Sequence, residues 1–213
     1  MIPESHPYWL VRSVVAQRDD VVAVPASYYT YLPRTVEDTR SEWLIPVEEF
    51  LNPERMHRYM KQTPDGHEMA VHSDIRLSSQ ERVHLVMVDM ATSSKAHLEK
   101  LRAFLGDNFF QRISWYGSGR SFHGYGESLL PEVDWVKFMG LLLLANLPKL
   151  EPTVDPRWIG HRLLAGYASL RWTKNTDHYL GLPVGLAKAG HSQAFRTPAG
   201  QASKTLVSIH LKR

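Results

Sequence analysis

Val83-His84-Leu85-Val86-Met87-Val88-Asp89-Met90, followed by Ala91-Thr92-Ser93-Ser94 and then Lys95 to Leu105, is the stretch on which the fold turns. Its first eight residues are a near-continuous apolar run, the pattern of a central strand covered on both faces. Thr92-Ser93-Ser94 then offers hydroxyls to the free N–H groups of a helix start. Leu98, Leu101, Phe104 and Leu105 fall on one face of that helix, and Gly106-Asp107-Asn108 closes it. A buried strand running into a capped helix places Asp89 at the rim of a sheet.

Working outward, Met69 to Leu77 reads as a second strand, entered from the turn Thr63-Pro64-Asp65-Gly66 and left through the loop Ser78 to Glu81. Downstream, Arg112 to Gly117 and Ser121 to Tyr125 read as a hairpin around Ser118-Gly119-Arg120. Glu132 to Leu147 is an apolar helix ended by Pro148. Pro156 to Tyr167 reads as a helix, Ala168 to Thr173 as a short strand, and Thr205 to Leu211 as a closing strand. Upstream, Tyr8 to Gln17 is helix-like, Val21 to Val24 extended, and Pro46 to Leu51 the start of a short helix. Helices and hairpins in this mixed order predict an α+β fold rather than a doubly wound parallel sheet.

At 213 residues the chain has ample length for a core. Its longest apolar stretch, Phe138 to Ala145, is far too short to cross a bilayer, so no membrane association is expected. Without cysteine there is no disulfide frame and no thiolate zinc site. The opening Met1-Ile2-Pro3-Glu4-Ser5-His6 lacks the basic-then-apolar pattern of a secretory signal. The expected setting is the cytoplasm. Charge is uneven: residues 150–213 hold nine basic side chains against three acids, so the net +3 of the chain divides into +6 there and −3 over residues 1–149. A basic C-terminal third suits a phosphate-bearing partner, although a solvated lysine- and arginine-rich surface has the same composition.

Three clusters carry candidate chemistry. Asp89, at the end of a strand, is placed as phosphoryl-transfer enzymes place acids that hold hard divalent ions; a lone Asp there also serves as a cap or turn residue. Ser121 and His123, two apart on a strand, share a face and suit an anionic oxygen. Gly117 and Gly119 let backbone approach a phosphate, and Arg120 adds a charge-assisted contact. Asp155 closes the short segment Val154-Asp155-Pro156-Arg157. Beyond it Ser169 to Thr176 brings Arg171 and Lys174 together with hydroxyls and an amide, the groups of a phosphate-backbone site or equally of a polar edge strand.

Taken in order, Val88-Asp89-Met90-Ala91, Ser121-Phe122-His123 and Val154-Asp155, with basic residues downstream, resemble the archaeo-eukaryotic primase superfamily and its primase-polymerases in particular. That family carries Asp-x-Asp, Ser-x-His and a third acid. The resemblance spans roughly residues 69 to 176. It implies a catalytic core like an RNA-recognition-motif sheet packed against a second αβ unit, the whole of 1–213 forming one catalytic domain, with 1–65 in the N-terminal unit and 66–213 mainly core and basic tail. It also implies template-directed nucleotidyl transfer with Mg²⁺ or Mn²⁺ in a two-metal site. Asp89 and Asp155 would be the metal ligands and, with His123, the catalytic residues. Ser121, His123, Arg120, Arg171 and Lys174 would hold the NTP or dNTP. Partners would be single-stranded DNA template and primer, with a helicase or accessory domain outside this chain.

Position 91 departs from that pattern, since Ala ligates no metal where the family has its second Asp. Either the chain is a degenerate member that binds nucleotide or single-stranded nucleic acid without polymerising, or Ala91 stands in for a native acid and the chain is a catalytically dead variant. A cyclase producing small nucleotide products is a further option. Nine further histidines (57, 67, 72, 84, 97, 161, 178, 191 and 210) show no His-x-x-x-His pairing and are expected to ligate nothing; Glu54 with His57, and Glu81 with His84, have Glu-x-x-His spacing but no partner motif. No Gly-x-x-x-x-Gly-Lys-Ser/Thr loop is present. Tyr28-Tyr29-Thr30-Tyr31 reads as packing more readily than as a base-stacking surface, and the glycine-containing segment Leu180 to Gly200 as surface loop more readily than as a cover over the template.

Overall fold

The computed structural model describes residues 1–32 and 35–186. In chain order the elements are α1 (Tyr8–Val15), β1 (Val21–Tyr29), β2 (Arg40–Pro46), α2 (Val47–Phe50), α3 (Pro53–Lys61), β3 (Glu68–His72), β4 (Asp74–Leu77), β5 (Arg82–Asp89), α4 (Lys95–Leu105), α5 (Asp107–Phe110), β6 (Ile113–Gly117), β7 (Phe122–Pro131), α6 (Glu132–Leu144), α7 (Pro156–Ala165), β8 (Ser169–Arg171) and β9 (Val184–Gly185). The class is α+β. Among the described residues nine strands join in one antiparallel sheet of order β8-β3-β1-β4-β5-β7-β6-β9, with β2 on the other edge of β1. No helix among them is long and apolar enough to cross a membrane. The strand expected over Thr205 to Leu211, His191 and His210, and the end of the 180–200 loop lie outside the described residues.

The stretch expected to be one strand, Met69 to Leu77, is two. β3 and β4 lie in tandem along the same edge of β1, pairing Ala26 with Val71 and Ala23 with Arg76, and Ser73 interrupts them. At Ser73 the sheet forks. The Ser73 amide donates to the Ala168 carbonyl at 2.7 Å, its hydroxyl accepts from the Ala168 amide at 2.9 Å, and its carbonyl accepts from the Leu85 amide at 2.8 Å. From that point β8 continues along β3 while β5 continues along β7. The two arms diverge, and the space between their C-terminal ends is a cleft.

β5 is buried on both faces as its composition requires. Trp135, Phe138, Met139 and Leu142 of α6 are fully buried, and that helix lies on β5 and β7. Opposite, Trp172, fully buried, donates from Nε1 to the Tyr125 hydroxyl at 3.1 Å and meets Tyr8 of α1 edge-on. The pairing of β5 with β7 shifts register between Leu85 and Met87. β7 comes so close there that a Cβ on Gly126 would lie 2.6 Å from Val86 Cβ. Only a residue without a side chain admits that approach. Past the irregularity Met87 faces Tyr125 and Asp89 faces His123.

β2 and α3 were not expected from the sequence. α3 nonetheless has its signal in Asn52-Pro53-Glu54: the Asn52 side chain accepts from the Glu54 and Arg55 amides at 2.9 and 3.2 Å, and Pro53 occupies the first turn. β1 runs five residues past the expected Val24, and β7 runs on to Pro131 rather than ending at Tyr125.

Candidate active site

The cleft at the fork encloses about 150 Å³. Asp89, His123, Asp155 and Arg171 all line it. Asp89 and Asp155 are brought together by a short antiparallel pairing beyond the end of β5. Met90 bridges Val154, the Asp155 amide donates to the Asp89 carbonyl at 2.9 Å, and the Ala91 amide donates to the Thr153 carbonyl at 3.1 Å. Met90 and Val154 are buried on one face. By strand alternation Asp89, Asp155 and Ala91 then share the other. His123 joins them because it is the register partner of Asp89, with Nε2 3.7 Å from Oδ1.

Electrostatics make this corner unusual. Burial, reinforced by the neighbouring Asp155 charge, pushes the Asp89 carboxyl up to about 8; the Arg171 guanidinium and the Ser121 hydroxyl pull the other way. At neutral pH Asp89 therefore mostly carries a proton. Burial, with Arg171 as the second cause, drives His123 down to about 3, so its imidazole is neutral. Its Nδ1 is buried with no hydrogen-bond partner. A neutral imidazole can donate one hydrogen bond to an anionic oxygen.

Asp155 has a second occupation. It is the N-cap of α7, its Oδ1 accepting from the Arg157 and Trp158 amides at 2.8 and 3.2 Å. The cap and the ligand candidate are thus one residue, and Oδ2 is the oxygen left for anything else. Two adjacent carboxylates suit one hard divalent cation whose shell is completed by water and phosphate oxygens. A second cation would need donors from elsewhere: among the described residues no three His, Asp or Glu side chains gather as a metal-binding group, and Ala91 sits on the shared face without one.

Arg171 is buried and its guanidinium is spent mainly on backbone: it donates to the carbonyls of Thr173, of Ser118 (3.0 Å) and of Gly181 (2.9 Å), and lies 4.0 Å over the Tyr179 ring. It thereby ties the Ser118–Ser121 turn to the end of β8 and supplies a fixed positive charge to Asp89. Ser121 hydrogen-bonds the Ser118 hydroxyl at 2.9 Å. Arg120 is exposed and donates to the His178 carbonyl at 3.2 Å, and Lys174 is exposed. Neither Arg120 nor Lys174 nor Ser121 lines the cleft itself.

Sequence reading missed a second basic group on the opposite wall. Arg162, fully buried on α7, donates to Ser169 Oγ at 2.8 Å and to Asp38; Arg40 on β2 also bonds Asp38, at 2.9 Å. Arg162 and Asp38 are 124 residues apart, so no local spacing announces their pairing; the one available signal was the excess of basic residues after residue 150. With Asp89 protonated, the cleft's four arginines (40, 157, 162 and 171) outnumber its three remaining carboxylates (Glu37, Asp38 and Asp155). His161 also lines it, although the sequence reading gave it no role.

No curated protein matches the sequence. A family model described as archaeo-eukaryotic primase 1D-like matches residues 48–184, more than half of the chain, and Asp89, His123, Asp155 and Arg171 all fall inside that match. The chain belongs to the archaeo-eukaryotic primase-like family.

Proposed function

We propose that the cleft binds a nucleoside triphosphate with one divalent cation, Mg²⁺ or Mn²⁺, on a single-stranded DNA template with primer, as the nucleotidyl-transfer site of a primase-polymerase. The observation that carries this reading is the convergence of Asp89 and Asp155 across the Met90–Val154 bridge, with His123 alongside. Asp89 and Asp155 Oδ2 would hold the cation. Bound there, it would supply the positive charge that offsets both carboxylates and orients phosphate oxygens. His123 would donate to the phosphates, and Arg171 would hold the Ser118–Ser121 turn beside it; Ser121 would reach them only by leaving Ser118. With a cation offsetting Asp89 and Asp155, the four arginines that line the cleft favour a polyanion over a neutral ligand.

Ala91 supports a second reading, in which the domain binds nucleotide or single strand and transfers little or nothing. A carboxylate there would share the face of Asp89 and Asp155, and without it the site has ligands for one cation rather than two. The test is nucleotide binding and primer extension with Mn²⁺, for the chain with Ala91 and for Ala91→Asp. The polymerase reading expects metal-dependent nucleotide binding in both chains and a gain in extension of at least about a hundred-fold in Ala91→Asp, the scale of a lost contact to developing charge. Binding without extension in both leaves the degenerate binder. Absence of metal-linked nucleotide binding in either chain refutes the proposal.

A further inference from the structure

At the mouth of the cleft two aromatic rings lie exposed with no core to explain them. Tyr31, 47% exposed, stacks on the exposed His178 with ring centroids 4.4 Å apart and planes 26° from parallel. The pair is braced from beneath: Tyr179 meets both rings edge-on, its hydroxyl hydrogen-bonds that of Tyr29 at 3.0 Å, and Arg171 lies over its own face. Arg120 is anchored on the His178 carbonyl, which sets a guanidinium next to the rings. Tyr31 and Tyr179 line the same cavity as Asp89 and Asp155.

Stacking one exposed ring on another buries only one face of each, and a rigid, braced ring in water is a surface for another flat ring. We infer that Tyr31 and His178 form a stacking platform for a nucleobase, with Arg120 taking the adjoining phosphate. This inference rests on the proposed nucleotide site and adds the base-binding part of it. The platform reads no base edge, so it accepts any of the four bases. The base can belong to the incoming nucleotide or to the template strand, and the chemistry of recognition is the same for both.

The experiment follows the fluorescence of 2-aminopurine, as the ribonucleoside triphosphate with Mn²⁺ in one arm and within a single-stranded oligodeoxynucleotide in the other. The full chain is compared with Tyr31→Ala, Tyr31→Phe and His178→Ala. Tyr31→Ala is expected to weaken binding roughly 5- to 100-fold in the arm whose base is stacked, Tyr31→Phe to bind as the natural chain does, and an abasic oligonucleotide or inorganic triphosphate to be indifferent to the change. Loss in the nucleotide arm assigns the platform to the incoming base, and loss in the strand arm to the template. Unchanged base binding by Tyr31→Ala, or an equal loss for abasic and base-bearing probes, overturns the inference while the cation site stands. If the natural chain binds neither probe, the nucleotide site and the platform both fall. Tyr31 is exposed, so the variant is expected to melt with the natural chain.

Discussion

Acidification should unfold this protein through its buried histidines, and Asp89 should hold that effect back. Burial drives His6 down to about 4, and His84 and His123 down to about 3. A depressed histidine binds its proton better in the unfolded chain, so each stabilises the fold above the unfolded value near 6.5 and loses that contribution as pH falls toward 3–4. At about 1.4 kcal/mol per unit, going from pH 7 to pH 4 costs about 9 kcal/mol for the three together. His72, also held well below its ordinary value, acts with the same sign. The carboxyls oppose this. Asp74 is raised to about 6 by burial and Asp89 to about 8 by burial and Asp155, so each favours the folded state as protons become available, and together they return about 6 kcal/mol over the same range. From these five groups the net loss is about 3 kcal/mol, and His72 adds to it; that is a large share of the stability of an ordinary domain. Removing the Asp89 carboxyl by Asp89→Asn deletes about 4 kcal/mol of the compensation, so that variant should lose roughly 7 kcal/mol between pH 7 and pH 4. Urea unfolding at pH 7, 5 and 4 in the presence of chelator measures both. A natural chain whose stability is flat or rises toward pH 4, or an Asp89→Asn chain with the natural slope, would refute the reasoning.

Three further outcomes follow from single contacts. Asp155→Ala removes both the α7 cap and the ligand oxygen and should lower stability by about 1 kcal/mol, whereas Asp155→Asn keeps a good cap and should melt close to the natural chain; both should weaken Mn²⁺-linked nucleotide binding, and equal melting losses would mean that the charge rather than the cap stabilises. Gly126→Ala forces a methyl to within 2.6 Å of Val86 Cβ and should cost about 1–3 kcal/mol by thermal denaturation; unchanged melting would mean that β7 can shift away from β5 freely. Glu68 is fully buried and accepts from the Asn175 and Thr176 amides and the Thr176 hydroxyl, each at 2.8 Å, and from Thr173 Oγ at 2.5 Å. Glu68→Ala should cost about 3 kcal/mol and speed amide exchange across 174–179, and protection equal to the natural chain would show the segment is held by other contacts.

What could be read from the sequence was whatever depends on near neighbours. The apolar run of β5, the helix over 95–105 and the acids at 89 and 155 are local patterns and stand where the periodicity puts them, although no hydroxyl of Thr92-Ser93-Ser94 caps that helix; Thr92 Oγ1 accepts from the Ser94 amide instead. The fork was not legible, because it needs Ser73 to bond Ala168 and Leu85 at once, and a single polar residue within a strand carries no mark of that. The same holds for the pairing of Arg162 with Asp38 and for Glu68, whose partners lie more than a hundred residues away. Alternation puts Tyr29 and Tyr31 on one face, and what separates them is where β1 ends: Tyr29, its last residue, is buried, while Tyr31, past the strand's end, is exposed at the cleft mouth.

Asp89 and Asp155 do not stand on the same footing as evidence. Asp155 is sufficiently explained by α7: a carboxylate before Pro156 that accepts two first-turn amides stabilises the chain whether or not it touches a cation. Asp89 caps no helix and closes no turn; it is held against Asp155 in a place that forces it to keep a proton at neutral pH. An arrangement that lifts a carboxyl from about 4 to about 8 opposes folding at neutral pH by several kcal/mol. An asparagine at position 89 would avoid the penalty and could keep the pairing with His123. A positive group that reached both carboxylates would offset the acid's cost to the fold, and Arg171, directed toward carbonyls, and the Ser121 hydroxyl do so in part. A cation between the two converging acids would account for Asp89, whose side chain caps no helix, while Asp155 is accounted for by its cap as well.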